Sequence, residues 1–180
     1  MKKQHSSAGF TLIEILVVIV IITILAGIVV GAAKYAITKG QRSRADSDIH
    51  MMENALESYK SDNGAYPPST AIPNNVTQNS ILLYNSLATG PKMYFTFKAN
   101  QVRDGGNMIL VTINCPTVPT NYTVSVTNVA VMDPFGMAYN YFNNPCGGGG
   151  QNNSATFDLW SYGPDNINGT ADDITNWKQN

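Results

Sequence analysis

From Phe10 to Ala33 the sequence reads FTLIEILVVIVIITILAGIVVGAA, with no charged side chain between Ile15 and Ala33. A helix of that length covers roughly 28 Å, close to the ~30 Å hydrocarbon thickness of a bilayer, so the run can span a membrane. Glu14, near its start, is the exception. A carboxylate toward the centre of a membrane helix costs on the order of 3 kcal/mol on insertion scales, so an acid here calls for a cationic partner.

The nine residues before the run, MKKQHSSAG, supply a source for that cation. An ordinary secretory signal places its small-residue cleavage site after the apolar region. Here Ala8 and Gly9 come first and the apolar run follows intact. Cutting after Gly9 would remove Lys2 and Lys3, keep the whole hydrophobic helix, and create an ammonium at Phe10, four positions before Glu14. In a bundle of identical chains, Glu14 of one copy can pair with the Phe10 ammonium of the next, and an unpaired carboxylate then favours assembly.

Gly9-Phe10-Thr11-Leu12-Ile13-Glu14 followed by a hydrophobic helix resembles the prepilin leader and N-terminal helix of type IV pilins and type II secretion pseudopilins. The resemblance implies a prepilin peptidase that cuts after Gly9 and methylates Phe10, and a role for Glu14 in subunit registration during assembly. The other reading of the same residues is a signal anchor with a stray Glu.

Helical patterning continues without proline from Ala33 to about Ser61. Ile49, Met52, Leu56 and Tyr59 form an apolar stripe, with Asp46, Asp48, Glu53, Glu57 and Lys60 on the remaining faces. One helix of some fifty residues is expected, ended by Asn63-Gly64 and the prolines after Tyr66. Gly27 and Gly31 have GxxxG spacing, which permits close helix contact, although glycine is common in membrane helices generally. Four basic residues, Lys34, Lys39, Arg42 and Arg44, follow the span, against Lys2 and Lys3 before it. A count of basic residues would therefore place the C-terminal side in the cytoplasm. The pilin resemblance implies the reverse: an inner-membrane, single-pass chain with its C-terminal domain in the periplasm and the filament assembled there.

The expected organisation is a leader at 1–9, a transmembrane or filament-core helix at 10–33, its amphipathic continuation at 34–62, and a globular head at 63–180. The charged fraction is only 13% and the net charge is −1, falling to about −3 without the leader lysines, which argues against nucleic acid as a partner. About 150 residues follow the span, enough to bury a core. Within the head, a short helix is expected at Ile81 to Ala88. Strands are expected in MYFTFKA (93–99), MILVTIN (108–114) and YTVSVTNVAV (122–131), with a hairpin turn at Asp104-Gly105-Gly106. Gly147 to Gly150 reads as a loose loop, since no lysine or following helix makes it a phosphate cradle.

Cys115 and Cys146 are the only cysteines. In an oxidising exterior they could bond and close a loop of about thirty residues, worth roughly 3 to 4 kcal/mol; two separate thiols is the alternative. Zinc has no support, because CxxC spacing is absent and the only histidines are His5, in the leader, and His50, on the long helix. No catalytic constellation stands out, and the chain reads as a non-enzyme.

Asp165, Asp172 and Asp173 crowd a turn-rich segment with Gly163, Pro164, Asn166, Asn168 and Gly169. Three close carboxylates repel, and calcium, which takes six to eight oxygens in flexible geometry, is a natural counter-charge; a solvated acidic loop is the plainer reading. The segment is not an EF-hand. Gly163-Pro164-Asp165, then Asp172-Asp173-Ile174-Thr175-Asn176-Trp177, with Asp133-Pro134-Phe135-Gly136 upstream, resembles the calcium loop of the type II secretion major pseudopilins. That resemblance implies Asp165, Asp172 and Asp173 as side-chain ligands and the carbonyls of Tyr162, Ile167 and Thr170 as backbone ligands. It covers about 7–67 and 133–177 and leaves the middle unmatched.

The expected fold class is α+β: a long N-terminal helix, transmembrane in its first half, packed on a small antiparallel β-sheet head with a C-terminal calcium loop, the pilin fold. The expected function is a structural subunit of the type II secretion pseudopilus, driving protein export across the outer membrane. The resemblance implies self-polymerisation, minor pseudopilins, a platform protein and an assembly ATPase. Two rivals remain: a type IV pilin of a surface fibre, and a signal-anchored exported calcium-binding protein or enzyme that does not polymerise.

Overall fold

Asn63 and Gly64 end the first helix because Gly64 takes a φ of +79°, a left-handed conformation that suits glycine, while its amide still bonds the Lys60 carbonyl at 2.7 Å. That helix, α1, runs Leu12–Asn63 in a computed structural model that describes residues 10–70, 75–113, 122–144 and 148–177. Gly9, Cys115 and Cys146 lie outside the described residues. The chain forms two units, Met1–Gly40 and Gln41–Asn180.

In the first unit the apolar side chains of α1 are exposed all round, from Leu12 to Ile37. This part of the helix is long and apolar enough to cross a membrane, with a mean hydropathy of 3.2 in its most apolar window. In the second unit only one stripe of α1 is covered. Ala45, Ile49, Met52, Ala55 and Leu56 are buried against Leu83, Leu87, Val131, Tyr139, Tyr141, Phe157 and Leu159. This is the expected stripe, with one addition. Asp48, expected on a polar face, is buried, because it stands three residues after Ala45 and four before Met52, inside the apolar row. Its carboxylate accepts hydrogen bonds from Gln101 Nε2 at 2.9 Å and Tyr139 Oη at 3.3 Å, and Arg44 Nε lies 3.9 Å away.

A second helix, α2 (Val76–Ala88), begins earlier than its apolar core suggests. Seven short strands follow among the described residues: β1 (Val102–Asp104), β2 (Ile109–Ile113), β3 (Tyr122–Val126), β4 (Val129–Val131), β5 (Asn140–Phe142), β6 (Asp158–Ser161) and β7 (Ile174–Thr175). They make three antiparallel sheets, β1 with β4, β2 with β3, and β5-β6-β7. A second apolar cluster joins Ile81 and Leu82 of α2 to Val111, Ile113, Val126, Ala130 and Met132.

Two expectations for the middle fail. Residues 93–98 form no strand: the amides of Tyr94 and Phe95 bond the Leu87 carbonyl at the end of α2, and the rings of Phe95 and Phe97 meet edge-on at 4.6 Å. Burial of aromatic rings, rather than ladder pairing, accounts for the alternation. The turn at Asp104-Gly105-Gly106 closes no hairpin either, since β1 pairs with β4 and β2 with β3. The Gly105 amide instead bonds the Asn128 carbonyl at 2.7 Å, and a Cβ on Gly105 would collide with the Asn128 side chain.

Candidate functional site

Two places in the molecule carry polar chemistry that the packing of the head does not require: the start of α1 and the loop between β6 and β7. At the helix start, Thr11 and Glu14 cap each other. The Thr11 amide and hydroxyl both donate to Glu14 Oε2, at 2.8 and 2.6 Å, and the Glu14 amide approaches Thr11 Oγ1 at 3.4 Å. This reciprocal pattern satisfies orphan amides at the helix end, so within a single chain the acid is held by its own backbone. Phe10 lies just outside the helix and is exposed.

The β6–β7 loop is anchored at both ends by the three-stranded sheet. Trp160 on β6 donates from Nε1 to Asn168 Oδ1 at 2.9 Å, and its ring meets that of Trp177 edge-on at 5.4 Å. Between these anchors the chain turns on Gly163, at φ +70°, where a Cβ would run into the Asp172 carbonyl. The three expected acids all fall in this loop. Asp165 Oδ1 accepts the Ile167 amide at 2.8 Å, Asp172 Oδ2 accepts the Asp165 amide at 3.2 Å, and Asp173 Oδ2 accepts the Gly169 amide at 2.8 Å. Asp173 is buried while Asp165 is exposed.

The hydroxyl of Thr170 is the meeting point. Its Oγ1 lies 2.5 Å from Asp172 Oδ1, 3.2 Å from the Ile167 carbonyl and 3.4 Å from Asp173 Oδ1. One hydroxyl hydrogen cannot serve three acceptors at once. The donor set is thus all oxygen and short of positive charge, which fits the chemistry of a hard divalent cation. Among the described residues, however, no three acidic, histidine or cysteine side chains gather as a metal-holding group. Of the expected carbonyls, that of Ile167 joins the cluster around Thr170, where Thr170 itself supplies its hydroxyl. Tyr162 is half-buried at the loop's start, its phenol 3.4 Å from Asn140 Nδ2.

The electrostatics follow from these contacts. The Thr170 hydroxyl holds the Asp172 carboxyl below the usual carboxylate range, opposed by partial burial and helped by the Asp165 amide. Burial pushes the Tyr162 phenol up, and the charge of Asp173 adds to the shift.

Two further acids are buried: Asp133, which the sequence offered only as part of a motif, and Asp158, which it did not single out. Asp133 accepts the amides of Phe135 and Met137 at 3.0 and 2.9 Å and the Ser161 hydroxyl at 2.6 Å, which ties the Asp133-Pro134-Phe135-Gly136 turn to β6. Asp158 accepts the amides of Gln151, Asn152 and Asn153 at 2.7 to 2.9 Å. The end of the glycine run beside it is therefore closely packed: at Gly150 a Cβ would strike the Asp158 carboxylate, and at Gly149 the Ser154 carbonyl, while Gly147 lies outside the described residues. The signal in the sequence was the glycine run itself, since such a run also marks backbone packed closely on another group.

Comparison with known proteins adds the following. A family model described as the prokaryotic N-terminal methylation motif matches residues 4–30, and one described as type II secretion system, protein G, matches residues 103–177. The chain is similar to the type II secretion system core protein G of Escherichia coli K12, 34% identical over 178 residues, covering 98% of this chain and 95% of that one. It is similar to the protein of the same name from Pectobacterium carotovorum, 34% identical over 96% of this chain and 86% of that one. For Aeromonas hydrophila the values are 33%, 98% and 96%. These alignments run through the middle region that the motifs alone left unmatched. Among solved structures, the chain is similar to the major pseudopilin from the type 2 secretion system of enterohaemorrhagic Escherichia coli, at 25% identity and a TM-score of 0.40, over 78% of this chain and 85% of that one.

Proposed function

Because this chain belongs to the family of the type II secretion system core protein G, the pseudopilins, we propose that it is cut after Gly9, methylated at Phe10, and polymerised in the periplasm into the filament that drives export across the outer membrane. It is a pseudopilin, a structural subunit, and family membership favours that reading over a surface fibre or a solitary exported protein. Prepilin peptidase is the processing partner. Minor pseudopilins, a platform protein and an assembly ATPase complete the machine by family analogy. The protomer is held in the inner membrane by residues 10–33, with the head on the periplasmic side.

The observation that carries this reading is a helix whose first unit exposes its apolar side chains on all sides, with one acid at its start. The exposed side chains from Leu12 to Ile37 need lipid before assembly and other copies of the chain after it. Glu14 exchanges its own Thr11 cap for the Phe10 ammonium of a neighbouring copy, which sets the register between subunits. Calcium would be held in the β6–β7 loop by Asp165, Asp172 and Asp173 and the carbonyls of Tyr162, Ile167 and Thr170. The ion would offset the backbone entropy of ordering this polar segment, roughly 1 to 2 kcal/mol per residue.

The test is Glu14→Val, scored for leader removal and for filaments by electron microscopy of overexpressing cells. Normal processing with no filaments is expected. Filaments of normal number and length would remove Glu14 from assembly.

A further inference from the structure

One feature of the sequence is left unexplained by polymerisation: the cations that follow the span stand on the side of the membrane where a plain charge count does not place them. No acid occurs between Glu14 and Asp46, while Lys34 and Lys39 lie in the first unit directly after the apolar run. Both lysines are exposed, and neither forms an ion pair among the described residues. Tyr35 is 71% exposed beside them.

We propose that Lys34 and Lys39, with Tyr35, form a band that binds the phosphate headgroups of anionic lipids in the leaflet facing the head. The inference rests on the membrane-held protomer described above and adds a lipid class to it. Three observations support it. First, the five-residue step between the lysines advances about 7.5 Å along the helix axis, close to the roughly 5 to 8 Å depth of the headgroup layer on one side of a bilayer. Second, the lysines are about 140° apart around the axis, with Tyr35 about 100° from Lys34, so the cations girdle the helix rather than line one face. A girdle suits a surrounding sheet of headgroups better than a single macromolecule on one side. Third, an exposed tyrosine at the end of an apolar run matches the interfacial aromatic belt, where the ring is buried and the phenol is wet. Long lysine stems can reach outward from the last apolar turn to the phosphates. The band sets how deeply the span sits and holds the protomer until the filament takes it up.

The full chain, recovered from bacterial membranes, is reconstituted in vesicles of equal phosphatidylglycerol and phosphatidylcholine, released in mild detergent, and its bound lipids are counted by native mass spectrometry. Each lysine should favour the anionic lipid by about fivefold, so the wild type should retain phosphatidylglycerol over phosphatidylcholine by more than about tenfold. Lys34→Gln with Lys39→Gln should bring the ratio close to unity, with near-UV circular dichroism of the head unchanged. Inorganic phosphate at the lipid's concentration should not lower the wild-type ratio. A wild-type ratio near one, or a ratio unaffected by the double substitution, overturns the proposal. So does displacement of lipid by inorganic phosphate, which would make the site one for a free anion. Loss of chain dimers rather than of lipid in the double variant also overturns it, because the lysines would then face acids of a second copy. The same spectra report leader removal and methylation: a processed chain with no lipid preference sinks the lipid band alone, whereas an unprocessed chain sinks the pseudopilin processing on which it rests.

Discussion

The two units of the chain share one helix and use it in opposite ways. In the first unit the apolar side chains of α1 from Leu12 to Ile37 are exposed, and valine and isoleucine make up most of the run from Ile15 to Val30. After Gln41 the same helix becomes amphipathic, and one row from Ala45 to Leu56 is buried against α2 and the strands. On the proposed function the first half takes its stability from outside the chain, from lipid or from other copies. The second half takes it from the chain's own core. A substitution should be felt in folding or in assembly according to the half in which it falls.

The sharpest way to break that contrast is a matched pair of truncations. Leu56 is fully buried, so Leu56→Ala should lower the unfolding free energy of the head by about 2 to 5 kcal/mol, read by denaturant titration of the full chain in detergent. Val20→Ala should leave that value within about 0.5 kcal/mol of the wild type. If both destabilise the head alike, the division between halves is wrong.

Next in size is the proposed calcium dependence of the β6–β7 loop, which tests whether the head is complete by itself. Calcium at about a hundred times its dissociation constant should raise the stability of the head by about 2.7 kcal/mol, an effect reversed by a chelator and absent in Asp173→Ala. Melting that ignores both calcium and chelator would remove the metal from the loop.

A smaller effect concerns the seam between the end of α1 and the head. Tyr66 donates from its hydroxyl to Glu57 Oε1 at 2.7 Å, and burial together with that acid pushes its phenol up to about 12. A raised acid leaves stability intact below its unfolded value of 10.0 and withdraws it as pH rises toward the folded value. The head should therefore lose stability between pH 10 and 12, and Tyr66→Phe should flatten part of that slope in tyrosinate-monitored alkaline titration. An unchanged slope would show that Tyr66 is not held by its surroundings.

The smallest expected effect lies at Asp172. Its carboxyl is depressed below 3.8 chiefly by Thr170, so its contribution is present above the unfolded value and is lost as pH falls through the folded one. Thr170→Val should flatten that acid limb of the stability curve, because the folded carboxyl returns toward its unfolded value. No flattening in calcium-free buffer would mean that the hydroxyl does not hold the acid.

The units differed in legibility for the same reason that they differ in folding. A run without charge from Ile15 to Ala33 needs no tertiary information to be read, and neither does the stripe at Ile49, Met52 and Leu56. Both are local patterns of one helix, and Gly64 ended it as its position suggested. The head depends on pairings between distant residues. β2 and β3 were visible as β-branched runs, but nothing local says that Val102 should pair with Val131 rather than fold back from Gly105. Phe95 and Phe97 alternate like a strand because burial selects aromatic rings, whichever way their amides bond. Asp48 looked like surface charge, and nothing in the sequence marked Asp133 or Asp158 as buried. Their burial is made tolerable by donors such as Gln101, Ser161 and the amides after Gly150, which only the fold brings together. The acids of the β6–β7 loop were legible as neighbours in sequence, whereas the meeting of Asp172 and Asp173 at the Thr170 hydroxyl, with Asp165 apart on the Ile167 amide, was not.

All of this turns on an apolar helix that stays on the mature chain and begins with a new amine. Intact mass spectrometry of the protein extracted from bacterial membranes reads that state directly. The expected mass is that of residues 10–180 with one added methyl group on Phe10. A mass that retains residues 1–9, or one that has lost the apolar run together with them, would contradict it.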